Sequence, residues 1–169
     1  MEDLPSWPFL VVIKMTDKIA ITIGEKALSY WLRIMLAQKV EKIQDVEVSC
    51  ELQGFQLVVR VGIPGFNAGV QAIFRLLQEL RDEGGIHTLL FSVKPVGLFS
   101  SMALATFSKA FDRLKPGIVF ADNTLRVSFR DLLAPNGPLQ APLLEGYSIE
   151  SIDFLPSTFS IVLKLKATS

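Results

Sequence analysis

Histidine and cysteine are almost missing from this 169-residue chain: His87 and Cys50 stand alone. A nucleophilic triad needs a base beside its nucleophile, and the one imidazole falls at the entrance to a predicted strand, where it reads as a structural or surface residue. Cys50 shares a face with Val46, Val48 and Leu52, the pattern of a small core hydrophobe rather than a reactive thiol. A lone cysteine also cannot form an intrachain disulfide. Structural zinc wants four Cys or His ligands, or three with a carboxylate, so no metal site is expected. A calcium loop needs acidic and amide side chains at alternate positions, and Asp122-Asn123 offers only a turn pair. Gly62-Ile-Pro-Gly65 lacks the lysine of a phosphate loop, and Gly84-Gly85 precedes a strand instead of a helix. The carboxylates of Asp82 and Glu83, and of Glu150 and Asp153, fall at helix ends and outward strand faces, as solvated charge does. The expectation is a chain that is not an enzyme, with no catalytic residue and no cofactor.

Excess charge of either sign is missing too. Lys and Arg number 17, Asp and Glu 17, and the net charge is zero with a pI near 6.6. A general nucleic-acid binder shows a basic excess or a basic face, so no nucleic-acid partner is expected. No run of like charges suggests a polybasic lipid site. Neutrality also lowers the barrier to self-association. Long hydrophobic runs are missing as well: Trp7–Ile13 and Ile86–Val96 fall short of the roughly 20 residues of a membrane span. The opening Met1-Glu2-Asp3-Leu4-Pro5 is acidic where a signal peptide is basic, which points to a soluble, cytoplasmic protein without a transmembrane segment.

What is present is a set of hairpin signals around amphipathic stretches. Phe9–Met15 and Ile19–Ile23 read as strands joined near Thr16-Asp17. Ala27, Leu28, Trp31, Leu32, Met35, Leu36 and Val40 then recur at three and four residues and predict a helix to about Glu41. Asp45–Leu52 and Phe55–Val61 alternate around Gln53-Gly54, a hairpin that Pro64 ends. After Asn67, an N-cap residue type, Val70, Ile73, Phe74, Leu77 and Leu80 predict a second helix that Gly84-Gly85 stops. Ile86–Val93 reads as a strand closed by Pro95 and Gly97. Ser100–Leu114 reads as a third helix with Leu104, Phe107, Ala110, Phe111 and Leu114 on its stripe. Hairpins follow at Ile118–Phe120 with Leu125–Phe129, turning at Asp122-Asn123, and at Ser148–Phe154 with Phe159–Leu165, turning at Leu155-Pro156-Ser157. Pro135–Pro142 is a loop.

These elements make a single α+β domain over residues 1–169, with a curved, mostly antiparallel sheet built of hairpins on about three amphipathic helices. Strand, helix and hairpin recur over 19–61 and 88–129, a possible duplication, and a terminal hairpin covers 148–166.

Half of the residues are hydrophobic, mean hydropathy is +0.40 and phenylalanine occurs 12 times. Several strands carry apolar residues on both faces, as Leu57-Val58-Val59, Leu89-Leu90-Phe91 and Ile161-Val162-Leu163 do. Such a sheet is covered on both sides by helices, by another protein or by an apolar ligand. A pocket would be lined by the helix faces around Trp31, Met35, Phe107 and Phe111.

Three segments also share a rhythm with a known superfamily. They are Asp17-Lys-Ile-Ala-Ile-Thr-Ile-Gly-Glu-Lys-Ala-Leu, Gly117-Ile-Val-Phe-Ala-Asp-Asn-Thr-Leu-Arg-Val-Ser-Phe-Arg-Asp-Leu-Leu and Ile149-Glu-Ser-Ile-Asp-Phe-Leu-Pro-Ser-Thr-Phe-Ser-Ile-Val-Leu. In this the chain resembles small bacterial tubular lipid-binding (TULIP-like) proteins. The resemblance implies a long helix lying in a curved antiparallel sheet, with a groove between them for lipid. The reading that follows is a non-enzymatic protein binding a lipid-like or other hydrophobic small molecule in an apolar groove. The alternative is a structural or interaction protein whose apolar surface forms a homo-dimer or docks in an assembly.

Overall fold

Period-two alternation decides most of this chain, and strands dominate the result. A computed structural model describes residues 10–14, 17–37, 43–63, 66–97, 100–112, 115–132, 134 and 146–166. The order is β1 (Leu10–Lys14), β2 (Lys18–Gly24), α1 (Glu25–Ala37), β3 (Ile43–Glu51), β4 (Gly54–Ile63), β5 (Phe66–Asp82) and β6 (Gly85–Val96). After these come α2 (Ser100–Asp112), β7 (Ile118–Ala121), β8 (Thr124–Ser128), the single turn α3 (Phe129–Leu132), β9 (Tyr147–Leu155) and β10 (Thr158–Leu165). The class is α+β, and the paired strands are antiparallel in two sheets, β1-β2-β10-β9 and β3-β4-β5-β6-β8-β7.

The hairpins form where their turn residues predict them. Gln53, Asp122, Asn123 and Ser157 hold positive φ at the three tight turns, a conformation that Asn and Asp tolerate best among residues with a side chain. The predicted loop Pro135–Pro142 lies outside the described residues, as does the end of the first predicted helix beyond Ala37.

The second predicted helix is a strand. Val70, Ala72, Phe74 and Leu76 face inward with period two, and β5 pairs with β4 from Phe66 to Arg75 and with β6 from Gln71 to Asp82. Leu77 has no partner in the ladder, because the register steps from Leu76–Phe91 to Gln78–Leu90. A β-bulge of this kind adds one residue, so apolar positions on either side of it fall at helix-like spacing. Pairing with β6, continued from the doubly flanked Gln71–Arg75, outweighs the helix propensity of Gln78, Glu79 and Leu80.

In the six-stranded sheet one face is mostly apolar. Val46, Val48, Leu57, Val59, Val70, Ala72, Phe74, Leu89, Phe91, Val93 and Leu125 are buried there, and the other face carries Glu47, Gln56, Arg60, Gln71, Arg75, Lys94 and Arg126. Val58, Leu90 and Val162, the second-face apolar residues, are half-buried. Ile149, Ile152 and Leu163 of the smaller sheet join the same buried cluster, as do Leu36 of α1 and Ala103, Phe107 and Phe111 of α2. Phe55 stacks on Phe74 at 4.7 Å, Phe154 of β9 lies 5.9 Å from Phe55 and 5.7 Å from Phe91, and Phe107 meets Phe74 edge-on at 5.9 Å. These rings join the two sheets and α2. The first strand–helix–hairpin unit divides between the two sheets, with β2 in the smaller and β3 and β4 in the larger. In the second unit β6, β7 and β8 share one sheet.

Candidate functional site

Edge strands expose unpaired N–H groups, and here α1 covers the edge. β3 borders the six-stranded sheet, and its N–H groups at Val48 and Cys50 point away from β4. Val48 N donates to Ser29 Oγ at 2.8 Å and Cys50 N to Glu25 Oε1 at 2.6 Å, while Ser29 Oγ itself donates to Glu25 O at 2.8 Å. Ala27 and Leu36 are buried, and Leu28 and Leu32 pack against the core. Burial pushes the Cys50 thiol up to about 11, helped by the nearby Glu25 charge. At that value it is protonated at neutral pH and a poor nucleophile.

The outward side of α1 differs from an ordinary solvated face. Tyr30, Trp31 and Ile34 are 53%, 42% and 40% exposed, and exposed Lys26 and Arg33 stand among them. Glu25 is the helix's one carboxylate, and it is turned to β3. The face therefore combines two aromatic rings, a branched aliphatic and two cations, and the helix's own carboxylate is turned away from it. Cations scattered in the sequence come together here by helical spacing.

Of the residues predicted to line a pocket, Trp31 lies on this outward side. Phe107 and Phe111 are buried under α2, where their rings sit 6.3 Å apart and both meet Phe74 edge-on. The Met35 side chain lies outside the described residues. Tyr30 and Ile34 escape the sequence reading, because the stripe drawn through Trp31 is wider than the part of α1 that β3 covers.

A concavity of about 590 Å³, open to solvent, lies at the β5–β6 turn. Asp82, Glu83, His87, Phe129, Arg130 and Tyr147 are among its walls. His87 Nδ1 is 2.9 Å from the Thr88 hydroxyl, and the Asp82 carboxylate is held by Gly84 N at 2.7 Å and by Arg130 at 2.6 Å. The Asp82 carboxylate is thus already engaged, and the imidazole shares its hydrogen bond with a hydroxyl. Among the described residues no three His, Cys, Asp or Glu side chains converge as a metal site would require, and no helix is long and apolar enough to cross a membrane. The chain matches no protein-family model, and no curated protein or solved structure is similar to it.

Proposed function

We propose that this chain is a non-enzymatic, lipid-directed binding protein that meets its apolar partner at the surface, through the outer side of α1. The observation that carries the reading is the composition of that side: Tyr30, Trp31 and Ile34 exposed beside Lys26 and Arg33, with the helix's own carboxylate turned to β3. Tryptophan and tyrosine favour the boundary between headgroups and acyl chains, and flanking cations favour anionic headgroups. The resemblance to tubular lipid-binding proteins points to the same ligand class. A groove lined by Phe107 and Phe111 would have to part rings that now fill the core, so the surface is the better place for the ligand. A cytoplasmic protein working at a membrane face fits this reading.

Trp31 supplies its own probe once Trp7, the other tryptophan, is replaced by Phe. On titration with phosphatidylcholine vesicles containing phosphatidylglycerol, Trp31 emission is expected to shift to the blue and the protein to sediment with the vesicles. An unshifted emission with the protein left in the supernatant overturns the reading. If the same sample is a dimer whose dissociation exposes Trp31, the face belongs to a second copy, an association that zero net charge does not oppose.

A further inference from the structure

Four leucines are also exposed, and three of them gather at one end of the molecule, while Leu165, at 51%, lies at the far end of β10. Leu52 is 73% exposed in the β3–β4 turn, Leu77 is 63% exposed at the β5 bulge, and Leu155 is 47% exposed where β9 enters its turn. Backbone hydrogen bonds bring the three together. Leu76 N donates to Gln53 O at 2.8 Å, which sets the bulge beside the β3–β4 turn. Ser157 N donates to Cys50 O at 3.3 Å and Glu25 N to Ser157 O at 3.2 Å, which wedges the β9–β10 turn between the end of β3 and the start of α1. Turns select Gly, Asn, Asp and Ser because these residues suit their backbone, so a leucine at a tip is explained neither by conformation nor by the core.

We propose that this end is a membrane-insertion tip, in which Leu52, Leu77 and Leu155 enter the acyl boundary of a bilayer while α1 lies along the headgroups. The proposal rests on the lipid-directed reading above and adds the point of entry. Two arguments favour a bilayer over a protein partner. Three leucine side chains offer far less than the roughly 800 Å² per partner of a stable protein interface. They also project from two turns and a bulge and are not among the walls of the concavity at the β5–β6 turn, a shape suited to a soft phase. The Glu25 N–H bond to the Ser157 carbonyl sets the start of α1 beside this tip, and Lys26 and Arg33 on the helix's outer side suit anionic headgroups. Arg75, across from Gly54 in the ladder, adds a third cation beside the tip. Glu51 and Asp153 oppose it, so anionic lipid is expected to strengthen binding without being required.

The test places an environment-sensitive fluorophore at single cysteines, Leu52→Cys, Leu77→Cys and Leu155→Cys, with Glu47→Cys on the solvent-facing side of the sheet as the control, all in a Cys50→Ala background. With phosphatidylcholine vesicles, with and without phosphatidylglycerol, the three tip labels are expected to brighten several-fold and shift to the blue, and the Glu47→Cys label to stay as in water. Tip labels that respond no more than the control overturn the proposal. Trp31 emission in the same samples separates the two readings: a Trp31 shift with silent tip labels removes the tip and keeps the α1 face, and silence from both removes both. In unlabelled protein, Leu52→Asn with Leu155→Asn is expected to lower vesicle affinity at least tenfold with an unchanged melting temperature. Unchanged affinity also overturns the proposal.

Discussion

Glu25 Oε1 accepts a 2.6 Å hydrogen bond from Cys50 N, so the only carboxylate of α1 is fixed to the border of a sheet. One contact thereby satisfies an N–H of an exposed strand edge and turns the helix's own carboxylate away from its outer side.

Removing it has a definite cost. Hydrogen bonds to charged groups contribute about 1.5–3 kcal/mol, neutral ones about 1. Glu25→Ala is expected to lower unfolding free energy by about 2 kcal/mol and Ser29→Ala by about 1 kcal/mol, read from urea midpoints at constant slope. Equal stability of Glu25→Ala and the parent would show that the bond does not hold α1 to β3.

Alkaline pH acts on the same seam. Burial raises the Cys50 thiol from an ordinary 9.0 to about 11, and the hydrogen bond that Lys18 donates to Glu150 raises Lys18 above its ordinary 10.5. Both groups hold their protons more tightly when folded, so their contribution is complete below the unfolded values and declines as pH rises through the folded ones. Stability is expected to be flat near neutrality, to fall from about pH 9 as the unfolded thiol ionises, and to fall further above 10.5. Cys50→Ala should flatten the first part of that decline in melts taken from pH 7 to 11.

The aromatic cluster and the outer face of α1 should respond in opposite ways. Phe74→Ala removes a fully buried ring stacked on Phe55 and is expected to cost about 3–5 kcal/mol. Tyr30→Ser and Ile34→Ser are expected to stay within about 0.5 kcal/mol of the parent, as surface changes do, while weakening vesicle binding. Large destabilisation by either surface change would mean that the outer side of α1 is part of the core.

Gly85 sits where the two sheets touch. Its φ is 96°, and a Cβ there would run into the Ile149 carbonyl of β9. Gly85→Ala is expected to cost roughly 1–3 kcal/mol, since a left-handed conformation and a backbone clash add. Gly97, also at positive φ but with nothing near its Cβ position, should lose less on the same substitution, and thermal melts of the pair compare them directly.

Hairpins were the legible part of the sequence. Asp122-Asn123 and Leu155-Pro156-Ser157 carry turn chemistry that local backbone preference enforces, and the strands beside them follow by alternation. The segment around Val70–Leu80 was not legible, because Leu77 interrupts the period and a bulge exists only once β6 is in place. The division of strands between two sheets is likewise a long-range outcome that no local pattern encodes. Trp31 was visible as an apolar residue on α1, but its exposure depends on how much of the helix β3 covers. Leu52 and Leu155 could have been found from sequence alone, since each is a large aliphatic at a predicted turn.

The stagger of β5 carries one more consequence. β4 borders Phe66–Arg75 and β6 borders Gln71–Asp82, so only Gln71–Arg75 is flanked on both sides. If the β3–β4 hairpin peels away, that stretch keeps β6; if β6 loosens, it keeps β4. Within β5, these five residues should therefore be the last to exchange their amide protons with deuterated solvent, after Phe66–Val70 and Leu76–Asp82.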